Sequence, residues 1–325
     1  MSQLVARWPQ LASRIPHLDL VRGPSPLRPL PSVGADVWVK DDSLIGAHYG
    51  GNEIRKLEWS LAALQKRGVR TVLTGGGLGT NHGLATAIYA RDLGMRTVLL
   101  LVEQPMTDEV AANLDAMRAA GARIVMAGTP RRAMAIAPLV LARYTRSQVP
   151  GVLPIGGSNP AGVLGFVQAA LELKDQIDAG VMAEPSRIVI AVGSGGSAAG
   201  LLLGCRLAGL RSEIHGILVN DKTRITEKTL TSMAIRSANL LRKNGVEEPP
   251  VKLEGLVLDR RFLGQGYGHA TTDGDEATEL FALDGVRLDP VYTEKAGSSL
   301  LAPRPTGTGP VLFWHTHSDV PLESS

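Results

Sequence analysis

Cysteine is nearly absent: Cys205 is the only one in 325 residues. A single thiol excludes an intramolecular disulfide and any multi-cysteine zinc site, and it fits a reducing compartment. Aromatic residues are scarce too, at 4%. No apolar run reaches the ~20 residues that cross a bilayer. The opening stretch MSQLVARWPQLASRIPHLDL carries no secretory apolar core. There is no dense Lys/Arg block with interleaved aromatics, and the formal charge is only +3, so nucleic acid is a poor partner. These absences lead to the expectation of a cytoplasmic protein that binds neither membrane nor nucleic acid.

What is abundant is glycine, 37 residues, much of it where an apolar run gives way to a helical period. Residues 1–35, rich in Pro and Leu, read as an irregular arm packed on the body. VWVK then makes a short strand with Asp41 and Asp42 at its end. Strand and helix patterns alternate from there. VRTVLT, MRTVLLLV and ARIVMAG read as strands, and 81–94 and 108–121 as helices. That βαβαβ order implies right-handed crossovers onto a parallel sheet. A second series follows: a helix over 161–180, the strand RIVIAV, a Gly-rich turn and helix, and the strand EIHGILVN. After the helix ending near Gly245 the pattern loosens into two late segments, 288–301 and 309–319, the second a buried strand ending in His and Ser. At this length two domains or lobes are expected.

Three stretches can carry chemistry. In GGNEIRKLE (50–58), two glycines permit a close backbone approach and Asn52 reads as an N-cap. Ile54, Leu57, Leu61 and Leu64 then follow at helical spacing. The entry places free N–H groups, Glu53 and the Lys56 ammonium in one small volume, suited to an anion or polar ligand. VGSGGSAAG (192–200) lies between an apolar strand and an apolar helix. The N–H groups of 193–197 and the hydroxyls of Ser194 and Ser197 can converge there on a phosphate. It matches neither the lysine-bearing P-loop nor a dinucleotide fingerprint, and a Gly-rich turn for packing is the plain alternative. TGGGLGTNHG (74–83) repeats the strand–glycine–helix arrangement, with Thr80, Asn81 and His82 at a helix entrance.

With GPSPLRPL, LPIGGSNPAGVLGF, GQGYGH, LDPVYTEKAG and VLFWHTH added in the same order, nearly the whole chain resembles one family. It is that of 1-aminocyclopropane-1-carboxylate (ACC) deaminase and D-cysteine desulfhydrase, pyridoxal-phosphate enzymes of the tryptophan-synthase β-subunit fold. The resemblance implies a two-lobed α/β protein, each lobe an open parallel twisted sheet with helices on both faces. Residues 1–50 plus 163–325 would form the larger, cofactor-binding lobe and 51–162 the smaller, and the protein would be a homodimer. It implies pyridoxal 5′-phosphate, its phosphate held by Lys56, Asn81, Gly193, Ser194, Gly195, Gly196 and Ser197, with Thr316 beside the cofactor. Tyr267 and Tyr292 would lie near the ring and substrate, a small amino acid or related carboxylate.

The resemblance breaks at one position. The family's GGNK lysine forms the Schiff base with the cofactor; here that position is Glu53. A carboxylate cannot replace the amine, which puts a covalently held cofactor in question. Nearby, Gly79–Thr80 stands where a serine is usual at the second position, and HTGG has become His315-Thr316-His317-Ser318. Two readings follow. In one, an enzyme with shifted chemistry uses Glu53 as acid or base, Thr80 and Asn81 on the substrate carboxylate, and Tyr267 and Tyr292 to orient or protonate. In the other, a catalytically silent homologue binds a phosphorylated ligand or a protein partner. His315 and His317 alternate on a strand and so share a side; they read as a pocket rim, with His82 and His269 able to approach the same cleft, and no metal site is assigned.

Overall fold

The computed structural model describes residues 2–146, 148–247, 253–303 and 309–322. Among the described residues, ten strands make two sheets. β1 (Leu27–Pro29), β2 (Val37–Asp41), β7 (Arg187–Val192), β8 (Glu213–Leu218), β9 (Leu256–Asp259) and β10 (Val311–His315) form one, ordered β1-β2-β10-β7-β8-β9. β3 (Thr71–Gly77), β4 (Arg96–Val102), β5 (Arg123–Gly128) and β6 (Pro150–Val152) form the other, ordered β5-β4-β3-β6. Every pairing is parallel except β1 with β2. The parallel strands RTVLLLV and RIVIAV are near-continuous apolar runs, because helices cover both faces of such a sheet.

Two features of this topology make the cleft. β3 pairs with β4 over seven residues but with β6 only from Thr71 to Leu73. The end of β3, Thr74 to Gly77, therefore lacks a strand neighbour on the β6 side. The second feature is the helix Asn52–Lys66, whose Ile54, Leu57, Leu61 and Leu64 enter the core over the four-stranded sheet while Trp59 enters that of the six-stranded one. One helix is thus cemented into both cores, and its first turn lies between them.

That helix begins differently from its sequence reading. Asn52 is its first residue, not its cap: Gly51 caps it with φ 72° and no side-chain bond. Only glycine fits there, since a Cβ would lie 2.5 Å from Thr316 O. Asn52 instead donates its side-chain N–H to Ser197 Oγ at 3.1 Å. The helix is further pinned by buried charge. Arg55 donates to both oxygens of Asp42 (2.9 and 2.7 Å) and to Glu172 (3.1 Å), Lys40 closes onto Glu172, and Trp314 Nε1 donates to Asp42 at 2.8 Å.

Three other expectations change. The N-terminal arm is not wholly irregular, holding short helices at Gln3–Arg7 and Leu11–Arg14 and the antiparallel β1. The glycines after Thr74 are strand through Gly77 rather than turn. The region after Gly245 contains β9 and a helix, Thr272–Leu283.

Candidate active site

The β3 end, the helix entrances at Asn52 and Asn81, the 193–197 loop and the segments carrying Tyr267, Tyr292 and Thr316 enclose one cleft of about 690 Å3. Its size suits a cofactor or small ligand. Every site residue named from the sequence lines it except Gly196, whose N–H is taken by Ser158 Oγ at 3.1 Å, and His315, which was expected at the rim. His82 and His269 line it as well.

Glu53 sits in the first turn of its helix and is 8% exposed. Its Oε1 accepts from Lys56 Nζ at 2.7 Å, the i,i+3 neighbour on the same helix face, and its Oε2 from His82 Nδ1 at 2.9 Å. Burial works to raise the carboxyl pKa, but the Lys56 charge and the His82 bond outweigh it and hold it at about 2. Glu53 is therefore a fixed carboxylate at neutral pH and is not poised to exchange a proton there. Lys56 is equally committed, with a second bond from Nζ to Gly156 O at 2.8 Å. His82 Nε2 lies 3.1 Å from Thr74 Oγ1.

The glycine-rich loop is built as the sequence suggests. Gly195, at φ 90°, caps the helix Gly196–Leu207, so the loop turns sharply into a helix N-terminus. Ser194 is joined to Ser158 by a hydroxyl–hydroxyl bond of 2.7 Å. A Cβ on Gly156 would lie 2.2 Å from Ser194 Oγ, which brings the carbonyl that holds Lys56 hard against the loop. A Cβ on Gly193 would meet the Tyr292 ring at 2.9 Å. Tyr292 and Tyr267 share a hydroxyl bond of 2.9 Å with rings edge to face. Burial raises both phenol pKa values, so the pair stays protonated at neutral pH.

Thr80 caps the helix Asn81–Asp92 through its bond with Gly83 N at 3.2 Å. Asn81 Oδ1 accepts from Asn113. The two C-terminal histidines part company. His315 is held by Asp41 Oδ1 (3.0 Å) and Arg287 O (2.9 Å), whereas His317 lines the cleft. His317 is 6% exposed, and neither ring nitrogen has a hydrogen-bond partner among the described residues. Burial lowers its pKa although Asp289 lies 3.9 Å away, so the ring is neutral near pH 7. Thr74 and Gln104, whose Oε1 is also buried without a partner among the described residues, were not singled out from the sequence. The one signal for Thr74 is a hydroxyl ending the apolar run VRTVL.

Comparison with known proteins agrees with this architecture. Residues 18–316 match the family described as pyridoxal-phosphate dependent enzyme. A D-cysteine desulfhydrase of Klebsiella pneumoniae subsp. pneumoniae is 32% identical, over 94% of this chain and 95% of its own. The crystal structure of an ACC deaminase homologue superposes with a TM-score of 0.80 at 30% identity, covering 95% of this chain and 94% of that one. A fungal L-serine ammonia-lyase from Rhizomucor miehei shares the fold, with a TM-score of 0.65 at 17% identity over 92% of this chain and 95% of the other. The chain belongs to the pyridoxal-phosphate dependent enzyme family, on its ACC deaminase and D-cysteine desulfhydrase side, with glutamate at position 53.

Proposed function

We propose that this protein is an enzyme acting on a small amino acid or related carboxylate by a route that does not pass through a lysine-bound cofactor. The observation that carries the reading is the Glu53 carboxylate, locked at 2.7 Å to Lys56 and 2.9 Å to His82 in a cleft that Thr80, Asn81, Tyr267, Tyr292 and His317 also line.

The residues fit one end of pyridoxal phosphate and not the other. The 193–197 turn, with its hydroxyls and helix N-terminus, would hold a phosphate, and Lys56 lies beside it across Gly156. Position 53, where a lysine would be needed to bind the aldehyde end, carries Glu53, which has no amine, and Lys56 is already bonded twice. No step is derived through the cofactor. What this chain's own groups supply is a carboxylate that fixes a cation and an imidazole, an unpartnered neutral imidazole at His317, and two protonated phenols at Tyr267 and Tyr292 for orienting a ligand or donating to it. Thr80 and Asn81, at a helix N-terminus, suit a substrate carboxylate.

The test is reduction with borohydride in the presence of pyridoxal phosphate, followed by peptide mapping. The wild-type protein is expected to carry no pyridoxyl-lysine, and Glu53→Lys to carry one at position 53. A pyridoxyl group on Lys56 of the wild type would overturn the proposal.

A further inference from the structure

Three side chains in the cleft stand in an order that the family reading does not use. Glu53 Oε2 is 2.9 Å from His82 Nδ1, and His82 Nε2 is 3.1 Å from Thr74 Oγ1. The proton positions follow from charge. Glu53 is ionised and can only accept, so His82 must carry its hydrogen on Nδ1. In the neutral imidazole Nε2 then presents a lone pair, which accepts the Thr74 hydroxyl proton. Lys56 occupies the other Glu53 oxygen at 2.7 Å and so leaves Oε2 to the histidine. All three residues are buried, at 8%, 3% and 3% exposure, and all line the cleft.

We propose that Glu53, His82 and Thr74 form a carboxylate–imidazole–hydroxyl relay in which Thr74 Oγ1 is a nucleophile toward the acyl carbon of an ester of a small anionic molecule. The parts correspond to the roles such a site requires: a nucleophile bonded to its base, and a base oriented by a third group. Thr74 is β-branched and lies on a strand, so its hydroxyl is held in few rotamers. A donor for the developing oxyanion lies next to it. Leu73 O accepts from Leu153 N at 2.9 Å, and residues two apart along a strand turn their backbone groups to the same edge. Gly75 therefore presents its N–H on the edge where β6 has stopped pairing. Anionic character in the ester suits the 193–197 turn and Lys222 and Arg224, which line the same cleft.

The step balances without a redox partner. Thr74 Oγ1 bonds to the acyl carbon as the carbon–oxygen bond to the alcohol breaks. The threonine proton passes to His82 Nε2 and from there to the departing alcohol oxygen. Water then attacks the acyl-threonine with His82 as base, releasing the acid and restoring the hydroxyl. Glu53 acts as a positioning residue, holding the tautomer and balancing the imidazolium.

The relay rests on the absence of a lysine from position 53, yet its test is separate from borohydride mapping. The purified full chain is treated with a fluorophosphonate probe and with p-nitrophenyl acetate, and the adduct is located by peptide mass mapping. One adduct per chain on Thr74 is expected. Thr74→Val should abolish it, Thr74→Ser should retain it, and Glu53→Gln should slow it at least ~10-fold. In parallel, 15N NMR of histidine-labelled wild type should show His82 protonated at Nδ1. An unlabelled wild-type protein, an adduct on Ser194, Ser197 or a tyrosine, undiminished labelling of Glu53→Gln, or an Nε2-protonated His82 would each overturn the relay.

Discussion

Replacing Glu53 by Gln should destabilise the protein in a way that depends on pH, and the size of the effect can be worked from the ion pair. Folding takes this carboxyl from 4.5 to about 2, a change worth about 3 kcal/mol of stability at neutral pH. The sign follows from proton binding. Above pH 4.5 the group is ionised in both states, and the full contribution of Lys56 and His82 is present. As pH falls from 4.5 toward 2, the unfolded chain takes up the proton first, and the contribution drains at about 1.4 kcal/mol per pH unit. The substituted amide keeps the shape but offers Lys56 no charge, leaving a buried ammonium with neutral acceptors only. Urea unfolding of both proteins at pH 7 and at steps down to pH 3 measures the difference. It is expected to be about 3 kcal/mol at pH 7 and to shrink by ~2 kcal/mol at pH 3. A difference that stays constant over that range would refute the ion-pair argument.

Other outcomes follow from neighbouring residues. Glu58 is buried against the Leu20 and Val21 amides, and burial raises its carboxyl to about 7. Its protonation therefore favours the fold below pH 4.5, and that stability is lost as pH rises toward 7. Glu58→Gln should raise stability at pH 8 by up to ~3 kcal/mol and change little at pH 4, as read by thermal unfolding. Glu172→Leu should cost about 3–5 kcal/mol, because it removes the carboxylate that faces Lys40 and accepts two of the five Arg55 hydrogen bonds in the core; a neutral result in denaturant melts would contradict the network. Gly193→Ala should displace the Tyr292 ring, since the added Cβ falls 2.9 Å from it, and weaken pyridoxal-phosphate binding at least ~10-fold in equilibrium dialysis.

The alternation of apolar runs and helical periods carried most of the fold. β4 (RTVLLLV) and β7 (RIVIAV) are dominated by Val, Ile and Leu, because both sheet faces are covered. What escaped was local structure without periodicity. β1 has three residues and β9 four, too short for an alternation to register. Gly75–Gly77 read as turn because glycine usually ends a strand, yet here seven-residue pairing with β4 carries the strand through them. Asn52 had the chemistry of a cap, but the close approach of Thr316 O requires glycine at that point and frees Asn52 to reach Ser197. The members of the site were legible from their motifs, whereas their mutual state was not. Whether Glu53 is protonated depends on the balance of burial against Lys56 and His82, and His82 comes from a helix 29 residues away. The bond to Thr74 likewise needs β3 and the following helix folded together.

The claim on which the account depends is that Glu53 is a permanently ionised anchor rather than a proton carrier. A 13C NMR titration of its side-chain carboxyl, assigned by comparison with Glu53→Gln, tests this directly. The signal is expected to stay at its ionised position from pH 8 down to about pH 3 and to begin moving only as pH approaches 2. A midpoint at or above 4.5 would mean that burial outweighs the lysine and histidine, and would return Glu53 to the role of general acid or base.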